Sequence, residues 1–78
     1  MKLEIITPDK KLFEGEIKYA VFPGSEGSFG VLDNHAPMIA TLKAGKVEIT
    51  HDNNTKQEFT VKGGVVEVLK NKVIVLAE

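Results

Sequence analysis

The chain contains no cysteine. Disulfides are therefore excluded as a way of stabilising a small fold, and so is a structural zinc site built on thiolates. An excess of one charge is also missing. Ten Lys or Arg residues stand against eleven Asp or Glu, for a formal net charge of −1, and the two signs are spread through the chain. A nucleic-acid partner needs a one-signed basic face for its phosphates, so that class is set aside. Apolar runs stop after four or five residues, too few to cross a bilayer as a helix. No basic, apolar presequence is read at the N-terminal end, so the expectation is a domain that works where it is made. Apolar spacing of i, i+3, i+4, i+7 is absent over any helical length. With 78 residues there is room for one core, and a permanent partner covering more apolar surface would relieve its marginal stability.

What is present is a period of two. KLEIIT (2–7), EIKYAVF (16–22), MIATLK (38–43), KVEITH (46–51), QEFTVK (57–62), VVEVL (65–69) and KVIVLA (72–77) each alternate or run apolar over strand length. Between them lie turn signals: Thr7-Pro8-Asp9-Lys10, Ala44-Gly45, Asp52-Asn53-Asn54-Thr55, Gly63-Gly64 and Lys70-Asn71. Short strands at this spacing predict an all-β sandwich or flattened barrel, one domain over residues 1–78. The expected core is Leu3, Ile5, Ile17, Tyr19, Val21, Val31, Leu42, Val47, Ile49, Phe59, Val61, Val66, Val68, Val73 and Val75. Residues 65–66 and 73–76 are apolar on both faces, which predicts that something outside this domain covers one of them.

Residues 23–37, PGSEGSFGVLDNHAP, break the pattern with glycines at 24, 27 and 30. A phosphate cradle needs Gly-Lys-Ser/Thr or G-x-G-x-x-G leading into a helix, and neither is present. The glycines are read as serving tight turns instead. His35 beside Asp33 resembles half of a base–orienter pair, but no Ser or Cys is marked as its nucleophile. His51 next to Asp52 falls at a hairpin end, and two separated histidines are a poor metal set. No catalytic residue, cofactor or metal is expected. Glu26, flanked by glycines, reads as a polar anchor on exposed backbone, and Pro37 fixes the entry to the next strand. A Gly/Pro-shaped loop on a β scaffold is a recognition surface. Protein docking is the reading; a free-standing β-sandwich that binds a small ligand, or a small enzyme using His35 and Asp33, are the rivals.

PGSEGSFGVLDNHAPMIATLKAG (23–45), KGGVVEVLKNKVIVLAE (62–78) and LEIITPDKKLFEGEI (3–17) together resemble the epsilon subunit of F-type ATP synthases along the whole chain. The resemblance implies a two-sheet β-sandwich of about ten short strands, itself non-catalytic. It implies a place on the central rotor, against the gamma subunit and the polar loops of the membrane-embedded c-ring. Carried over by position, Ser25, Glu26, Gly27, Ser28 and His35 face the c-ring loops. Ala36, Pro37, Met38 and Thr41 adjoin gamma. Ser28 stands where some members carry an acid, which leaves any charge contact there to Glu26. Most bacterial and chloroplast members continue into a two-helix C-terminal hairpin, whereas residues 73–78 end as strand. The expectation is accordingly a single domain without that hairpin, without its inhibition of hydrolysis and without ATP binding. The implied location is peripheral, on the cytoplasmic face of a bacterial plasma membrane rather than a chloroplast thylakoid, held there only through the complex.

Overall fold

Alternation becomes a set of strands with one face turned inward. The structure, a computed structural model, describes all residues from Met1 to Glu78. Its nine strands are β1 (Lys2–Ile6), β2 (Lys11–Glu16), β3 (Tyr19–Phe22), β4 (Phe29–Leu32), β5 (Met38–Leu42), β6 (Gly45–Thr50), β7 (Lys56–Val61), β8 (Gly64–Leu69) and β9 (Lys72–Ala77). They form a five-stranded sheet in the order β2-β1-β9-β8-β5 and a four-stranded sheet in the order β4-β3-β6-β7. All neighbours are antiparallel except β1 and β9, which run parallel with Leu3 opposite Val73 and Ile5 opposite Val75. The expected all-β, two-sheet sandwich is what forms.

One apolar layer lies between the sheets. Leu3, Ile5, Val66, Val68, Val73 and Val75 come from the larger sheet, and Ala20, Phe22, Val31, Val47, Ile49 and Val61 from the smaller. The seam between edge strands β2 and β7 is filled by Phe13, whose ring centroid lies 5.6 Å from that of Phe59 and 5.8 Å from that of His51. His51 therefore caps an aromatic seam, with Nε2 2.9 Å from Gln57 Oε1. Turn chemistry follows the residue types. Asn54, Lys70 and Asn71 take positive φ, and the last two form the two-residue link between β8 and β9.

The structure corrects the sequence reading in three places. Tyr19 and Val21 are only half-buried and lie on the outside, while Ala20 and Phe22 are fully buried. The cause is a break at Ile17–Lys18, where the chain leaves one sheet for the other. Ile17 N–H donates to Met1 O at 2.8 Å and Lys18 N–H to Thr50 O at 2.9 Å. Period-two parity does not survive such a step, so Ile17 and Ala20 both face in. Phe59, expected in the core, is half-buried at the seam. Residues 11–16 and 29–32, left without a strand by the sequence, are β2 and β4; both are edge strands, whose outer neighbours impose no alternation.

The amino end is pinned. The Met1 side chain is buried, and its ammonium donates to Asp33 Oδ1 at 2.7 Å and to Ile17 O at 3.1 Å, with Glu16 Oε1 at 3.5 Å. The Asp33 hydrogen bond, followed by the Asp33 and Glu16 charges, raises this ammonium above its ordinary value near 8, against the opposing effect of burial. A group raised on folding adds stability that is complete below the unfolded value and is lost as pH climbs through the folded one. For the chain beginning at Met1, Tm should therefore fall as pH rises above about 8. Asp33→Asn should flatten that fall in a pH series of thermal melts.

A second outcome follows from Gly64, at the start of β8. Its φ is +145°, and a Cβ there would collide with the Leu76 carbonyl oxygen and crowd Ala77 Cα. Both neighbours are backbone of β9 and have no room to move. Gly64→Ala should cost about 1–3 kcal/mol, seen by circular dichroism as a Tm lowered by roughly 5–20 °C.

Candidate functional site

The glycine segment is two turns separated by a strand. The first turn leaves β3 at Phe22 and is stitched to β5. Lys43 N–H donates to Pro23 O at 2.9 Å, Gly24 bridges Leu42, and Ser25 N–H donates to Thr41 O at 3.0 Å. Thr41 Oγ1 donates to Ser25 Oγ at 2.9 Å, and Gly27 N–H closes the turn on Gly24 O at 3.0 Å. Gly27 has φ +131° with open space around it, so its backbone shape, not crowding, calls for glycine. Ser25, Glu26, Gly27 and Ser28 are thus exposed at the tip of a turn whose base is hydrogen-bonded into the sandwich. Beside it lies a depression of about 380 Å³ lined by the turn and by Phe29, Ile39, Ala40 and Thr41. Here the ring-facing and gamma-facing groups of the sequence reading meet, through Ser25 and Thr41.

The strand β4, four residues linked by three steps of about 3.3 Å, then carries the chain roughly 10 Å along the sandwich to the second turn. The second turn is held at both its first residues. Asp33 takes the Met1 ammonium, and Asn34, at φ 63°, donates its N–H to Asn71 Oδ1 at 2.8 Å. His35 follows, with its N–H on Leu32 O at 3.2 Å and Nδ1 at 2.7 Å from Ala36 O. A carbonyl only accepts, so Nδ1 is the donor in this contact and Nε2 is left without a partner among the side-chain hydrogen bonds. His35 and the Ser25–Ser28 tip consequently do not form one cluster. Nor do Asp33 and His35 form a base–orienter pair, since each is committed to a different partner.

Ala36 and Pro37 are exposed, Thr41 points to the outer side of the five-stranded sheet, and Met38 packs half-buried against the core. Three or more His, Cys, Asp or Glu side chains are nowhere grouped to hold a metal ion. A depression of about 540 Å³ lies on the four-stranded sheet, lined by residues of β3, β6 and β7, among them Tyr19, Glu48, Ile49, Lys56 and Glu58. Of the exposed apolar residues, Val65 and Leu76 fall in the doubly apolar runs marked from the sequence, whereas Leu32, Ile39 and Leu69 were not singled out. The doubly apolar runs at 65–66 and 73–76 were the signal for part of this surface. Ile39 carried none, because an edge strand reads the same whichever face is covered.

Residues 1–78 match the family model described as the β-sandwich domain of the ATP synthase delta/epsilon chain. The ATP synthase epsilon chain of Chlorobium limicola is 42% identical over 77 residues, which is 99% of this chain and 88% of that one. A chain in the Euglena gracilis mitochondrial ATP synthase superposes with a TM-score of 0.91 at 22% identity, over 96% of this chain and 48% of the other. A chain of the Tetrahymena thermophila mitochondrial ATP synthase central stalk and c-ring gives 0.79 at 20% identity, over 97% and 61%. The present chain thus spans about half to three-fifths of those two structural neighbours. With a two-sheet sandwich, a hydrogen-bonded glycine turn and a match along its whole length, the chain belongs to the ATP synthase delta/epsilon family, a non-catalytic subunit of that synthase.

Proposed function

We propose that this chain is a rotor element of the central stalk of an F-type proton-translocating ATP synthase. In this reading it docks on the gamma subunit and on the polar loops of the c-ring and helps to couple proton flow to ATP synthesis. The observation that carries the proposal is the family match over residues 1–78. The physics of the fold agrees with it. An adaptor between two rotating parts must be stiff, and a single close-packed layer between two sheets resists deformation. Ser25, Glu26, Gly27, Ser28 and His35 are assigned to the ring, and Ala36, Pro37, Met38 and Thr41 to gamma. Because β4 separates His35 from the glycine turn, the ring-facing set makes two contacts and not one. The subunit then sits on the cytoplasmic face of a bacterial plasma membrane through the complex alone.

The rival reading, a free-standing ligand-binding sandwich, calls for a pocket with converging polar groups. The depressions found here lie on outer faces and on one turn, and no observation favours that reading. The test is purification of the synthase in mild detergent at low salt, with this chain tagged. Stoichiometric recovery of gamma is expected, and its absence would defeat the proposal.

The turns give a sharper outcome. Glu26→Ala and His35→Ala remove side chains that carry no core packing, so each should change stability by no more than about 0.5 kcal/mol. Recovery of the assembled complex should drop in both. A Tm lowered by ten degrees or more in either variant, on the order of 1–3 kcal/mol, would make that residue structural and remove it from the docking set.

A further inference from the structure

Residues from three distant parts of the chain close a ring of hydrogen bonds at one end of the sandwich. The Met1 ammonium donates to Asp33 Oδ1 at 2.7 Å, and the Asn34 N–H donates to Asn71 Oδ1 at 2.8 Å. Asn71 O accepts the Lys2 N–H at 3.2 Å, and the Met1–Lys2 peptide completes the circuit. Asn34 and Asn71 both take the left-handed backbone that asparagine tolerates, at φ 63° and 60°. Met1 is held on its other edge as well. Its ammonium donates to Ile17 O at 3.1 Å, its carbonyl accepts the Ile17 N–H at 2.8 Å, and its side chain is buried. Glu16 Oε1 stands 3.5 Å from the same ammonium. Acceptors on Ile17, Asp33 and Glu16 thus converge on one amine, which has a proton for each. That amine is the one member of the ring that N-terminal acylation alters.

We propose that the Met1 α-amino group is a modification site that decides whether the histidine turn is held: a free amine fixes residues 33–35, and a formyl or acetyl cap releases them. The proposal concerns the chain that begins at Met1, and its consequence for docking rests on the rotor reading above, which assigns His35 to a contact. Acylation turns the ammonium into an amide. The charge and two of the donors are lost, and a carbonyl oxygen is added where Ile17, Asp33 and Glu16 already present oxygens. The one remaining N–H cannot serve both Ile17 O, on the buried edge, and Asp33, on the turn. Asn71 then holds the turn alone. A formyl cap leaves by hydrolysis: water adds to the formyl carbon, the C–N bond breaks, formate departs and the nitrogen takes up the proton. A hydrolase needs Met1 extended in its cleft, whereas the folded chain bonds Met1 through both its nitrogen and its oxygen. Removal therefore precedes closure of the sandwich.

The test compares the intact chain carrying a free, an N-formyl and an N-acetyl Met1, made by chemical synthesis and verified by mass. Amide hydrogen exchange is read by NMR. The N–H groups of Asn34 and His35 rest on Asn71 Oδ1 and Leu32 O, and both caps should speed their exchange about 10-fold. Ser25 and Gly27, in the glycine turn, should stay within about twofold. Asp33→Ala with a free amine removes an exposed side chain and leaves the core intact. It should reproduce the rise of about 10-fold at the same two amides, and capping this variant should add less than about twofold. The variant carries the test even where a capped chain fails to fold. Exchange at Asn34 and His35 within about threefold of the free wild type, in both capped chains or in Asp33→Ala, overturns the proposal. Equal acceleration in both turns also overturns it, because the amine then serves the whole fold and not this turn. Recovery of the synthase tests the rotor reading separately. A capped chain with a loosened His35 turn and undiminished recovery removes that turn from the docking set and upholds the inference.

Discussion

The parallel pairing of β1 with β9 is the contact on which the rest of the sandwich depends. It joins the first and last strands at the centre of the five-stranded sheet, Leu3 beside Val73 and Ile5 beside Val75. Nothing local favours it, since nearly the whole chain must close before it forms, and loop closure has to be met by the apolar rows it completes. Once made, it joins the β1–β2 pair to the β8–β9 hairpin in one sheet and supplies the central rows of the core. It also brings the N-terminal ammonium and the β8–β9 turn to the same end of the molecule. Both anchors of the second turn, Met1 to Asp33 and Asn71 to Asn34, are available only because of that juxtaposition.

The two turns flanking β4 are consequently held by different means. The glycine turn borrows backbone partners from β5, an edge strand of the other sheet, and so fastens one sheet to the other at that end. The histidine turn leans on an ion pair and an amide side chain. Both leave exposed side chains on a fixed backbone, which is what a docking surface needs if little ordering entropy is to be lost on binding. The stiffness of each turn thus comes from the hydrogen bonds and the ion pair that tie it back to distant strands.

The outer faces carry the other division of labour. Where lysines and glutamates alternate across β2, β1 and β9, each charge finds an opposite one and the face is content in water. Where β5, β8 and β9 present isoleucine, leucine and valine, water is a poor neighbour, and the lone Glu67 interrupts the apolar rows without a partner of its own. A small sandwich has two outer faces for each inner layer, so a covered outer face is a ready way to enlarge what is buried.

Sequence alone determined the fold class, because period-two alternation with turn residues every six to ten positions suits only short half-buried strands. It also determined most of the inward residues and the last hairpin. The family was legible as well, since the glycine, histidine and C-terminal motifs span the chain. Tertiary structure alone decided the parity change at Ile17–Lys18, which buried Ala20 and Phe22 in place of Tyr19 and Val21, because a change of sheet resets which face is inward. It turned residues 29–32 into a strand, because β3 offered an open edge to pair with. It separated His35 from Ser25–Ser28, neighbours in sequence, because the extended strand β4 lies between them. And it gathered Ile39, Glu67 and Leu76 from three strands onto one face, a proximity set by register across the sheet that no local spacing records.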